Sequence, residues 1–197
     1  MEPGQICSDS QIVALTERNT IIQFDEIRLL AAEGWADPSS VSIDIMVMKR
    51  LHMLATMDIF DFAGQLRDGP VYIQGTGHVP PPPEQVLGES GRMMAYIGEH
   101  WSATPIHLCA YVLWRCNWIH PFFNGNGRTT RGLAYLTFLL RLGYEPGGRR
   151  TFIDMISENK QPYYDALDCA DAAWKRGTAD VSDMERVVTE NLARQLG

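Results

Sequence analysis

The chain has 197 residues, 45% of them hydrophobic, and a formal net charge of −7. Length and apolar content suit one core of ordinary size, so a single domain over 1–197 is expected and extended disorder is excluded. An acidic chain lacks the basic face that nucleic acid or an anionic membrane needs, so neither is expected as a partner and any anion is held locally.

In chain order, an N-terminal helical region, 1–37, begins with Ser8 or Asp9 as a cap and a helix to about Glu33, with Gly34 as the left-handed residue that stops it. Asp37 before Pro38 reads as a new cap with proline in the first turn. Beyond it Val41, Ile45, Met48, Leu51, Ala55 and Ile59 recur at helical spacing, a long stripe that opens the core at about 38–192. The stretch VYIQGTGHV reads as two short β segments around a turn. Pro80 to Pro83 continue neither strand nor helix, so a β-hairpin flap is expected at about 68–83. Helical pattern resumes from Glu89 to Trp101, and Thr104-Pro105 marks another cap. The segments 106–119 and 133–142 are apolar almost all round, which places both helices in the middle of the domain, with Gly143 ending the second. Helices over 155–175, interrupted near Pro162, and over 181–196 complete a mostly α fold.

Cys7, Cys109, Cys116 and Cys169 show no zinc spacing and read as reduced, packed thiols. The start of the sequence carries no basic-then-apolar leader, and no stretch offers about eighteen uninterrupted apolar residues. A soluble, cytoplasmic protein is the expectation. His52, His100 and His107 have no partner at metal-binding spacing and read as structural or solvated; Trp114 and Trp118 read as core, Trp35 and Trp174 as partly exposed.

The segment HPFFNGNGRTTR, 120–131, joins the two apolar helices. Gly125 and Gly127 bracket Asn126, so the backbone can turn sharply and bring its amides near a ligand. A helix follows at once, and its unpaired first-turn amides and dipole favour phosphate oxygens. Arg128 and Arg131, three apart, project to nearly the same side, and each can fork two hydrogen bonds to phosphate. The loop suits a polyphosphate. It is neither a Walker loop nor a dinucleotide fingerprint, since GxxxxGK[ST] is absent and a helix, not a strand, precedes it. His120, at the junction, is a core histidine or, beside a phosphate cradle, a general base.

The motif resembles that of the Fic family, HxFx[D/E]GNGRxxR, at His120, Phe122, Gly125, Asn126, Gly127, Arg128 and Arg131, with Asn124 in place of the acidic residue. The resemblance extends to FAGQLR at 62–67, GHVPPPPEQV at 77–86 and YYDALDCAD at 163–171, roughly 45–192 in all. It implies a Fic-type helical bundle with a β-hairpin flap and transfer of AMP from ATP to a hydroxyl side chain of a target protein. His120 would be the general base. Asn126 and the amides of Gly125 and Gly127 would hold the phosphates with Arg128, Arg131 would reach the γ-phosphate, and Tyr164 and Asp171 would line the adenosine side. Val71, Tyr72 and Ile73 of the flap would dock the target by strand addition. Asn124 would be a weak, neutral ligand to Mg²⁺. A relative with asparagine at that place, the death-on-curing toxin, is a protein kinase with lysine in place of the second glycine, where this chain keeps Gly127. Three readings stay open at this point: an adenylyltransferase, a related enzyme moving another phosphate-containing group such as a death-on-curing-like kinase, and a nucleotide- or protein-binding module without activity. The inhibitory hexapeptide [ST]xxxE[GN] of many relatives is absent, since Leu29 and Arg186 stand where it needs Ser or Thr before Glu33-Gly34 and Glu190-Asn191. Arg131 is therefore expected to be open to ATP, and control by a separate antitoxin-like partner supplying the glutamate, or no such control, stays open.

Overall fold

A computed structural model describes residues 3–197. Eight helices are found among them: α1 (Asp9–Ala36), α2 (Ile45–Thr56), α3 (Pro83–Glu99), α4 (Pro105–Ile119), α5 (Asn126–Leu142), α6 (Phe152–Glu158), α7 (Gln161–Lys175) and α8 (Ser182–Leu196). The fold is mostly α, as expected. α4 and α5 pack on each other at the centre; α1 and α2 cover α5, α3 and α8 cover α4, and α6 and α7 lean on α8.

Most of the two central helices is buried, through the apolar run of α4 and the Leu133–Leu139 stretch of α5. Leu108, Val112, Leu113 and Trp114 on α4 and Leu133, Leu136 and Leu139 on α5 have no solvent exposure. Each such side chain contributes roughly 1.5–3 kcal/mol by leaving water. Thr104 caps α4 by accepting from the His107 amide at 3.1 Å, and Pro105 occupies the first turn, where a missing N–H costs nothing. Gly143 closes α5 as expected.

Several expected boundaries move. α1 runs through Gly34 to Ala36, so that glycine is helical and not a left-handed stop. A Cβ there would stand 2.3 Å from Leu140 Cδ2, and close packing of α1 on α5 is what it permits. Asp37 starts no helix, because its carboxylate accepts from both the amide and the hydroxyl of Ser39. Asp44 is the cap instead, accepting from the Val47 amide at 2.8 Å. The apolar stripe overruns α2 at both ends, and Ile59 joins Cys7 and Phe60 in a small separate cluster. Pro83 begins α3, earlier than Glu89, because proline at the first helical position is compatible with a helix start.

The flap forms a turn at 74–75, but no β-ladder is present there; among the described residues the only bridge is Gln5 with Phe60. Each arm is only a few residues long between prolines, and an isolated two-stranded hairpin is marginal without a third strand or a packed face. All four cysteines are free thiols, three of them buried. Trp114 is fully buried, whereas Trp118 is only partly so. No helix is long and apolar enough to cross a membrane among the described residues.

Candidate active site

The motif loop is held by its own side chains. His120 ends α4 in the left-handed region, φ +49°, with its amide donating to Cys116 O at 3.0 Å. Asn126 then closes a ring on Phe122: its Oδ1 accepts from the Phe122 amide at 2.9 Å and its Nδ2 donates to the Phe122 carbonyl at 2.7 Å. That side chain is 3% exposed. Both ends of its amide group are thus engaged in shaping the loop. What remains for an anion is the first turn of α5, whose amides have no intrahelical acceptors. Gly125 sits at φ +74°, and a Cβ on it would lie 2.5 Å from Thr56 Cγ2 and 3.2 Å from His52 Nε2.

His52 on α2, read from sequence as merely structural or solvated, supports the loop from behind. It is fully buried. Its Nδ1 accepts from the Gly64 amide at 2.9 Å, so Nε2 carries the proton and donates to Asn124 O, also at 2.9 Å. The ring stacks on Phe122 with centroids 3.7 Å apart and planes at 1°. Burial, and secondarily the charge of Arg128, push its pKa down to about 4 against the opposing bond to Asn124, so the ring is neutral.

In front of the loop lies a cavity of about 640 Å³ whose wall includes His120, Asn124 to Arg128, Arg131, Tyr164 and Asp171. The His120 Nδ1 lies 3.4 Å from Asn117 O, a long contact that only an N–H can use, which leaves Nε2 as the acceptor. Burial above all, and the charges of Arg67 and His78, push its pKa down to about 4 despite the Asn117 contact, so this imidazole is also neutral. Arg128 donates from Nη1 to Ala55 O at 2.8 Å, which ties α5 to α2. Arg131 is different. Burial works against its charge, with Tyr163, Tyr164 and Asp154 only partly compensating, and no carboxylate pairs with it among the described residues. Its Nη1 lies over Gly127, 3.3 Å from where a Cβ would be. Desolvated guanidinium without a counter-charge is costly unless an anion arrives.

The flap meets this cavity through Tyr72 and Ile73, whereas Val71 is not part of its wall. Two residues of the segments FAGQLR and GHVPPPPEQV, neither singled out for a role of its own, anchor it. Arg67, 3% exposed, donates to the carbonyls of His120 (2.8 Å), Gly69 (3.0 Å), Pro81 (2.5 Å) and Ile119 (3.3 Å), tying both ends of the flap to the end of α4. His78 reaches Trp118 O at 2.8 Å and Asp171 Oδ2 at 3.3 Å. Asp171 accepts from Trp114 Nε1 at 2.7 Å through Oδ1, so it lines the cavity with one oxygen engaged. Tyr164 is half exposed at the cavity wall, beside the buried Tyr163.

The oxygens near the loop do not build a resident cation site. Asn124 Oδ1 accepts from the Gly125 amide at 2.6 Å, and no group of three or more His, Cys, Asp or Glu that could hold a metal occurs among the described residues. Mg²⁺ asks for hard, mostly anionic oxygens in an octahedron, and one neutral, engaged amide oxygen does not fit it.

The family model described as Fic/DOC family matches residues 42–138. The chain is 31% identical over 136 residues to the protein adenylyltransferase Fic of Drosophila persimilis, covering 68% of this chain and 26% of that protein, and 30% identical over the same length to that of Drosophila melanogaster. It thus spans about a quarter of the length of the curated relatives it matches. Among solved structures, Fic-1 (residues 134–508) from C. elegans superposes with a TM-score of 0.72 at 21% identity, covering 100% of this chain and 52% of that one. BepC from Bartonella tribocorum, solved with bound AMPPNP, gives 0.56 at 14% identity over 85% of each chain. At such identities these structures establish the fold.

Proposed function

Since residues 42–138 place this chain in the Fic/DOC family, we propose that it transfers AMP from ATP to a hydroxyl side chain of a protein docked at the flap. The observation that carries the reading is the pairing, in one cavity, of a neutral imidazole with an open acceptor nitrogen, His120, and a desolvated guanidinium, Arg131, with no carboxylate partner among the described residues. The first takes a proton and the second waits for an anion. The relatives' name and the AMPPNP bound to BepC support ATP as the nucleotide.

In this scheme the triphosphate lies along the N-terminus of α5, with Arg131 at its far end and the first-turn amides and Arg128 beside it. The target's hydroxyl oxygen bonds to the α-phosphorus, the bond from that phosphorus to the α–β bridging oxygen breaks, pyrophosphate leaves, and the hydroxyl proton passes to His120 Nε2. Positioning and charge neutralisation supply most of the acceleration. Mg²⁺ would enter as part of the nucleotide, screening its phosphates. No step assigned to the protein requires a cation held by Asn124. The adenosine would lie toward Tyr164 and Asp171. A separate protein that supplied a glutamate to Arg131, which meets no carboxylate among the described residues, would silence the site by keeping the triphosphate out.

Incubation with α- and γ-labelled ATP tests the reading. Label should reach protein from the α position and vanish in His120→Ala, which should still bind ATP. Transfer from the γ position would instead establish a kinase, and no transfer together with intact nucleotide binding would leave a binding module.

A further inference from the structure

The guanidinium of Arg115, which the proposed chemistry does not use, lies among three indoles. Its Cζ is 4.1 Å from the ring centroid of Trp118, 4.5 Å from that of Trp174 and 5.5 Å from that of Trp114. Trp114 and Trp118 belong to α4, as Arg115 does, and Trp174 belongs to α7. A third helix completes the enclosure. Glu89 of α3 accepts from Arg115 Nη2 at 2.5 Å and is shared with the exposed Arg92. Arg115 as a whole is 3% exposed.

We propose that Arg115 is a positioning residue, which sets the cavity wall made by Trp118 and Asp171 by holding the indoles that join α4 to α7. The cavity takes Asn117 and Trp118 from α4, and Tyr164, Asp168 and Asp171 from α7. Because α7 packs chiefly on α8 and only lightly on α4, the spacing of these two sides depends on side chains that bridge the seam. The indoles are that bridge. Trp174 meets Trp114 and Trp118 edge-on, with centroids 5.8 and 6.3 Å apart, and Trp114 donates from Nε1 to Asp171 Oδ1 at 2.7 Å. A flat, delocalised cation suits a place among rings, whereas a compact ammonium is more strongly hydrated and does not stack.

Stability alone does not account for the arrangement. Taking two charges out of water commonly costs as much as their attraction returns, and well-packed apolar side chains often serve equally well or better. Here burial outweighs the support that Tyr111 and Glu89 give the Arg115 charge, and Nη1 meets no hydrogen-bond acceptor among the described residues. What the pair supplies is one fixed arrangement of the indoles. That this wall receives adenosine rests on the proposed activity; that Arg115 sets the wall does not.

The test replaces both partners in the full chain, Glu89→Met with Arg115→Met, so that no unpaired charge is left inside. Its denaturant midpoint should equal or exceed the native one. Hydrogen exchange without nucleotide should show the Trp114 indole N–H exchanging about tenfold faster or more, as its bond to Asp171 loosens, while the backbone amides of α4 and α5 stay protected. Calorimetric affinity for ATP should fall about tenfold and that for inorganic tripolyphosphate should not change, because only the nucleoside meets the displaced wall. Arg115→Lys, which keeps the charge and loses the flat fork, should show the same faster exchange and the same selective loss. Native indole exchange in either variant would overturn the proposal, as would a double variant whose midpoint drops or whose tripolyphosphate affinity falls as far as its ATP affinity. Faster exchange with undiminished ATP affinity would uphold Arg115 in this role and move the adenosine elsewhere, so the two readings fail separately.

Discussion

Replacing His52 with phenylalanine removes two hydrogen bonds while keeping a ring in the stack on Phe122. The Asn124 carbonyl and the Gly64 amide lose partners at 2.9 Å each. Leaving a buried backbone group unpaired costs about 1–3 kcal/mol, and water can reach part of this site, so a total of about 2–4 kcal/mol at neutral pH is expected. The substitution has a second signature in acid. The folded ring has its pKa pushed down from 6.5 to about 4, so between those values the unfolded chain binds a proton that the folded one refuses. Its contribution is fully present above pH 6.5 and is lost as pH falls toward about 4. At about 1.4 kcal/mol per unit, that is on the order of 3 kcal/mol. Urea unfolding at neutral pH and near pH 4.5, native beside His52→Phe, measures both effects. The variant should be weaker at neutral pH, with a shallower acid dependence, His120 supplying the part that remains. A neutral-pH loss below about 0.5 kcal/mol, the ordinary range for inconsequential substitutions, or an unchanged acid slope would refute the role given to this ring.

Gly125→Ala should lower stability by about 2 kcal/mol or more through its left-handed backbone and the clash with Thr56, with nucleotide binding weakened as the loop is displaced; thermal unfolding and ATP titration read the two. Arg131→Ala should weaken ATP binding about tenfold or more while leaving stability equal or higher, since an unpaired desolvated charge is removed. A melting temperature that drops as far as the affinity would mark Arg131 as a structural residue instead. Arg67→Met should cost more than about 3 kcal/mol by stripping donors from several buried carbonyls, and denaturant midpoints would show it.

The sequence by itself determined the mostly α class, the two buried central helices and the loop between them, because local composition decides each. A strongly apolar helical stretch has nowhere to go but the centre, and Gly125, free to take the left-handed region, lets the chain turn into α5. His120, Arg128 and Arg131 were legible for that reason, since they lie within one turn or loop of each other. Only the tertiary structure decided what holds them. Asn126 is a brace for Phe122, His52 reaches the loop across 72 residues of sequence and Arg67 across 53, and His78 meets Trp118 across 40. Such contacts leave no periodicity, since the partner is a backbone carbonyl and any residue could supply it. Gly34 marks the same divide: the sequence offers a glycine near a helix end, and only Leu140 packed against it reveals that the glycine is there to let two helices touch.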